Sequence, residues 1–96
     1  MNIEYEPDAL LEAVEAVLFY HSRDGTGDRF NAVIDETMNR IRMAPLRWPI
    51  LDKQVRRCLC PIYPYAILYT VEIDCILVIA VMHLHRDPDY WRYRIQ

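Results

Sequence analysis

"YAILYTVEIDCILVIAVMHLHRDPDYWRYR" occupies Tyr65–Arg94. Its first eight residues and the run Cys75–His85 are rich in Tyr, Ile, Val and Thr and hold no Gly or Pro. That composition predicts two strands. The link between them, Ile73–Asp74, is short enough to demand an antiparallel hairpin. Side chains alternate across a strand. Ile76, Val78, Ala80, Met82 and Leu84 are therefore expected on one face of the last strand. Leu77, Ile79, Val81, His83 and His85 are expected on the other. If the first set meets a covering layer, the two histidines look out from an uncovered face. The strip Leu77, Ile79 and Val81 is then exposed and suits an apolar partner.

Outward from this hairpin, "QVRRCLC" (54–60) reads as a preceding strand, so the chain ends in a three-strand meander. "PLRWPILDK" (45–53) reads as a proline-punctuated loop. Two helical patterns come earlier. In "EPDALLEAVEAVLFYHSRD" (6–24), Asp8 is a candidate N-cap, and Leu11, Val14, Val17, Leu18 and His21 recur with helical period. In "DRFNAVIDETMNRIRMA" (28–44) the stripe is Phe30, Val33, Ile34, Met38 and Ile41. "GTG" (25–27) holds the only two glycines and predicts a tight turn between the helices. "NIEYE" (2–6) fits a short N-terminal strand. The expected fold is α+β: an N-terminal strand, then an antiparallel helical hairpin packed on a mainly antiparallel sheet.

The chain has 96 residues, enough for one domain, 1–96. No apolar run approaches the ~20 residues of a membrane helix. The N-terminus is acidic and lacks the apolar core of a signal peptide, so a cytoplasmic protein with no membrane association is expected. Three cysteines (Cys58, Cys60, Cys75) are read as small buried hydrophobes. No cofactor is expected. The pairs Cys58/Cys60 and His83/His85 have zinc-ligand chemistry, but they sit on strands that flank a third. Strand spacing holds them about 9–10 Å apart, too far for one metal, so no metal site is assigned.

Net charge is −3, but the halves differ. Residues 1–36 hold nine acids and two bases, and residues 37–96 hold five acids and nine bases. All but one of those nine bases are arginine, the cation that grips phosphate and carboxylate with a planar fork. Arg56, Arg57, Arg86, Arg92 and Arg94 with Tyr90, Trp91 and Tyr93 form a candidate nucleic-acid-binding group, and the candidate target-binding surface is Arg56, Arg57, His83, Arg86, Tyr90, Trp91 and Arg94. Arginine holds phosphate and aromatics stack on bases. The alternative is that Trp91 and a tyrosine cover the core edge while Asp87 and Asp89 pair with nearby arginines.

"GDRF" opening the second helix, "PLRWP" after it, "RR" on a strand, "YPYAILYTVE" and "VMHLHRDPDYWRYR" together resemble the RelE/ParE superfamily of bacterial type II toxins. They are most similar to the ParE (plasmid stabilisation) branch, over about residues 3 to 94. The resemblance implies the toxin of a toxin–antitoxin pair, neutralised by a small antitoxin encoded beside it. Leu77, Ile79 and Val81, or the helical hairpin, are the expected antitoxin surface. A homodimer or a toxin–antitoxin hetero-oligomer is compatible with it. The ParE branch inhibits DNA gyrase by binding. The RelE branch cuts messenger RNA on the ribosome, with basic and acid/base side chains on the open sheet face. One is an arginine directly after the tyrosine that starts the middle strand. Here Ala66 follows Tyr65, and an arginine at 66 is expected to leave a gyrase poison unaffected. If the chain were a nuclease, the resemblance would make Arg57, His83, His85, Arg86 and Tyr90 the catalytic candidates. A third reading is a non-toxic module that only binds an antitoxin.

Overall fold

Gly25 ends the first helix, α1 (Pro7–Asp24), at φ 76°, a left-handed conformation that glycine adopts without Cβ strain. Its N–H donates to the His21 carbonyl at 3.1 Å. Two residues on, Gly27 opens α2 (Gly27–Met43) for a different reason. A Cβ there would lie 2.7 Å from the Val17 carbonyl oxygen and 2.8 Å from His21 Cβ. The hairpin closes tightly only because position 27 has no side chain.

The computed structural model describes residues 1–95. The remaining elements are β1 (Asn2–Tyr5), β2 (Ile50–Asp52), β3 (Val55–Leu59), β4 (Tyr65–Val71), β5 (Cys75–His83) and a 3₁₀ turn, Arg92–Ile95. The sheet order is β1-β5-β4-β3-β2. β1 lies parallel to β5 and every other pairing is antiparallel. The α+β expectation holds. One strand is additional: Ile50–Asp52 pairs with β3, where the sequence reads as loop. Three residues between prolines and a turn carry too little periodicity to register as a strand.

The helices cover one sheet face. Ala9, Ala16, Phe30, Ile34, Met38 and Ile41 pack there with Cys58, Tyr65, Ile67, Tyr69, Ile76, Val78 and Val81. The stripe expected on α2 is buried throughout. That on α1 is not. Leu11, Val14 and Leu18 are about half exposed, and α1 turns Ala9, Ala13, Ala16 and Tyr20 inward instead. At 100° per residue this face lies roughly 160° round the helix from Leu11, Val14 and Leu18. Alanines let α1 approach the sheet closely, where leucines would hold it away. Its N-cap also differs: Glu6, not Asp8, accepts from the backbone N–H groups of Asp8 (3.0 Å) and Ala9 (3.2 Å).

β5 breaks the expected alternation. Leu68 opposes Ala80 while the next residue, Tyr69, opposes Val78. Ile79 is thus an extra residue, a β-bulge. Before the bulge Ile76 and Val78 face the helices, and after it Val81 does. Leu77, Ile79, Ala80 and Met82 face the other way, into a second cluster with Val55, Ala66, Leu68 and Trp91. Both sheet faces are apolar because both are covered, one by helices and one by the C-terminal segment.

The two glycines separate two physical costs. Gly27→Ala should lose about 1–3 kcal/mol through overpacking, seen as a lower melting temperature. Gly25→Ala, which has nothing within 4 Å, should lose only the ~1 kcal/mol of a left-handed alanine. A smaller loss at Gly27 than at Gly25 would contradict the tight hairpin.

Candidate functional site

β1 stops at Tyr5, opposite Val78, while β5 runs on to His83. Beyond Val78 the β5 edge therefore has no strand beside it. Two side chains take that place. Glu12 of α1 accepts from the Val81 N–H (3.1 Å), and Arg94 donates to the Ile79 carbonyl (3.0 Å). The two are themselves ion-paired at 2.7 Å, with side chains 12% and 5% exposed. A buried sheet edge must have its polar groups satisfied, and this pair satisfies it without a strand.

The same carboxylate gathers the C-terminal segment. Arg86 donates to Glu12 at 3.1 Å, and the Tyr90 hydroxyl donates to the same oxygen. Arg86 also stacks over the Tyr90 ring, 3.6 Å from its centroid. Burial, and after it the Glu12 carboxylate, raise the Tyr90 pKa, so the phenol stays protonated and donates. Burial opposes the Arg94 charge, but Glu12 and the Tyr93 hydroxyl more than offset it and raise its pKa. Glu12 therefore joins three residues of the sequence-predicted cluster. The sequence hides it, because it sits on α1 among acids that read as a solvated face.

The other members of that cluster are dispersed. Trp91 is 0% exposed, packed on the second apolar cluster with its indole donating to the Pro88 carbonyl at 2.7 Å. It is a lid over the core, not a contact surface. Arg94 is buried. Arg56 donates to the carbonyls of Leu46 (3.1 Å) and Trp48 (2.7 Å), so its guanidinium holds the loop after α2. Arg57 pairs opposite Leu68, on the face away from the helices. His83 lies opposite Tyr65, on the helix face, with its ring 5.0 Å from that of Tyr65. Its Nδ1 accepts from the His85 N–H at 3.1 Å. His85 is exposed beyond the strand end. Arg57 and His83 are thus on opposite faces and, on strand spacing alone, more than ~10 Å apart. They cannot hold one phosphate between them.

Nor does an exposed apolar strip exist on β5. Ile79 and Val81 are 1% and 2% exposed, and the bulge puts them on opposite faces. Only Leu77 is partly open. Ala66 is fully buried beneath the Trp91 cluster. An arginine there would be forced into an apolar core, so that substitution tests folding and not mechanism.

What remains accessible is a cleft between α1 and the end of the sheet, lined by Glu12, Glu15, Phe19, Tyr65, His83 and Arg86. Arg86 is the accessible cation of the Glu12 group, with 53% of its side chain exposed. Among the described residues no three His, Cys, Asp or Glu side chains converge as a metal site would require. No helix among them is long and apolar enough to cross a membrane.

Comparison with known proteins decides the family. The model of the ParE toxin of type II toxin–antitoxin systems, parDE, matches residues 3–88. The chain belongs to the ParE toxin family. A search of curated proteins found no match. A solved structure described as the chromosomal ParDE TA system from P. aeruginosa is similar in fold, with a TM-score of 0.77. Identity is 13%, and the match covers 88% of this chain and 97% of that one. In this ParE-family chain, the sheet face away from the helices carries an apolar core under Trp91, with Arg57 at its margin.

Substitutions should divide the Glu12 group into a structural latch and a surface. Glu12→Ala leaves the enclosed Arg94 guanidinium with only the more distant Glu6 carboxylate, at 3.7 Å, and should cost about 3 kcal/mol in a urea titration. Arg86→Ala removes a half-exposed partner and should cost below about 1 kcal/mol. Equal losses would mean that the Arg94 pair is not what secures the segment.

Proposed function

We propose that residues 1–96 form one cytoplasmic toxin domain that inhibits DNA gyrase by binding and performs no chemistry of its own. The observation that supports this is the sealed second sheet face. The nuclease branch, by resemblance, keeps its basic and acid/base groups on that face. Here Ala66, Leu68, Ala80 and Met82 fill it and Trp91 closes it. The remaining nuclease candidates are divided between faces or engaged by Glu12. The proposed target surface is the cleft mouth, where Arg86 and His83 meet solvent. Tyr90, Trp91 and Arg94 act behind it by holding Arg86 in place.

For the antitoxin, the hairpin groove replaces the β5 strip. Leu10, Val14 and Leu18 are each about half exposed, and they line a groove with Tyr5, Ala13 and Ile34 whose rim carries Asn31 and Asp35. Apolar side chains at i, i+4 and i+8 beside a second helix suit an amphipathic helix. Its flanks would be basic, since residues 1–36 carry the excess of acid.

Purified protein should abolish gyrase supercoiling and accumulate linear DNA on the same gel. Arg86→Ala should weaken this roughly 30-fold, the effect of losing a hot-spot arginine. Intact supercoiling at every ratio of folded protein to gyrase would remove the gyrase reading and move the test to ribosome-dependent cleavage. Separately, Leu18→Glu should leave the melting temperature within about 2 °C, because the residue is exposed. It should also reduce antitoxin affinity at least ~10-fold by calorimetry. Unchanged affinity would place the antitoxin elsewhere.

A further inference from the structure

The C-terminal arginines are largely neutralised within the molecule: Arg86 and Arg94 by Glu12, with Glu6 also 3.7 Å from Arg94, and Arg92 by Asp52 and Asp89. A concentration of uncompensated positive charge lies along the β2–β3 margin of the sheet and the end of α2. Residues 40–57 contain Arg40, Arg42, Arg47, Lys53, Arg56 and Arg57 against one acid, Asp52, and that acid is held by Arg92. Among the described residues, Arg40, Arg47 and Arg57 have no carboxylate partner within 4 Å. Arg40 and Arg47 both lie over the Trp48 ring, 5.6 and 5.4 Å from its centroid. Arg40, Trp48, Pro49, Arg57 and Leu59 line one open cleft at the sheet margin. The loop carrying Arg47 and Trp48 is fixed from below, since Arg56 binds the Leu46 and Trp48 carbonyls and the Arg57 N–H donates to Pro49 at 3.2 Å.

We propose that this Arg40–Arg47–Trp48–Arg57 surface binds the sugar–phosphate backbone of a duplex nucleic acid. Like charges held together around one ring without a counter-ion are relieved by an anion. Planar guanidinium groups match phosphate oxygens, and an arginine-flanked indole adds stacking on sugar or base. A polyanion with many phosphates fits three separated arginines better than a single small anion does. A chain of net charge −3 has no general affinity for nucleic acid, so binding must come from a local patch. The proposal does not rest on the gyrase reading, because it is tested on the isolated protein and either can fail alone.

The molecule carries its own reporter. Trp91 is fully buried, and Trp48 is the partly exposed tryptophan, so quenching of tryptophan fluorescence by a bound duplex reports on Trp48. A DNA duplex of about 20 base pairs and an RNA duplex of the same sequence would be titrated at about 50 mM salt and upward. The expected result is quenching by at least one duplex, with a log–log salt slope of about −2 to −3 for three phosphate contacts. The double variant Arg47→Glu/Arg57→Glu should bind at least ten-fold more weakly with an unchanged melting temperature, and Arg29→Ala, exposed near the start of α2, should bind normally. Preference for one duplex would identify the source of the backbone. Absence of quenching by both would overturn the proposal, as would a double variant with the same affinity and slope. Quenching by poly-glutamate but by neither duplex would also overturn it and make the patch a surface for acidic protein segments.

Discussion

β1 is too short for the strand it accompanies. It pairs with β5 only as far as Val78, and β5 continues for five residues with an unpartnered edge. Open edges invite pairing with other chains, and buried ones lose free energy unless their N–H and C=O groups are met. The Glu12–Arg94 pair meets both requirements. Glu12 comes from α1 and Arg94 from the last residues of the described chain, so closing the edge also ties the C-terminus to the helical hairpin. Ion pairs of this kind are costly to bury. This one is tolerable because each partner also completes backbone hydrogen bonds that would otherwise stay unmade.

That tie explains the second apolar cluster. Once Arg94 is anchored at Ile79, the segment from Arg86 must cross the sheet face opposite the helices. Trp91 falls over Ala66, Leu68 and Met82, and its indole N–H is satisfied locally by Pro88. The bulge at Ile79 contributes by turning Ile79 and Ala80 toward the same side, which widens the apolar seat. Sheet, lid and latch are therefore one cooperative arrangement. A surface residue such as Arg86 is positioned by interactions that run back to α1.

Local patterns in the sequence revealed most of the elements. Both helices, the glycine turn and the three strands of the meander follow from period and composition. The parallel pairing of β1 and the strand at Ile50–Asp52 do not, since neither depends on local pattern. Three misreadings share a cause. The bulge reverses alternation after Val78, yet a bulge leaves no mark in a run of Ile, Leu and Val. Bulk marks one stripe on α1, but close packing favours the alanine face. The C-terminal arginines read as available charge or as partners of Asp87 and Asp89, and only tertiary structure shows that acids from distant segments, Glu12 and Asp52, engage them. Glu12 was invisible for the same reason, since an acid on an amphipathic helix gives no sign that it reaches a sheet edge.

These misreadings bear on where function lies in a chain this small. Apolar surface left over from folding and charge left uncompensated are the features that folding does not explain. On α1 the leftover is Leu10, Val14 and Leu18, which a hairpin packed through alanine has no use for. On the sheet margin it is Arg40 and Arg47 over Trp48, with Arg57 in the same cleft, which no acid answers. By contrast, the conspicuous run from His83 to Arg94 is mostly consumed by the fold, and only its Arg86 end remains open. The acidic hairpin and the basic margin are different surfaces with opposite chemistry. A partner that neutralises the first leaves the second free, so capture by an antitoxin and contact with a polyanionic target do not have to compete for the same residues.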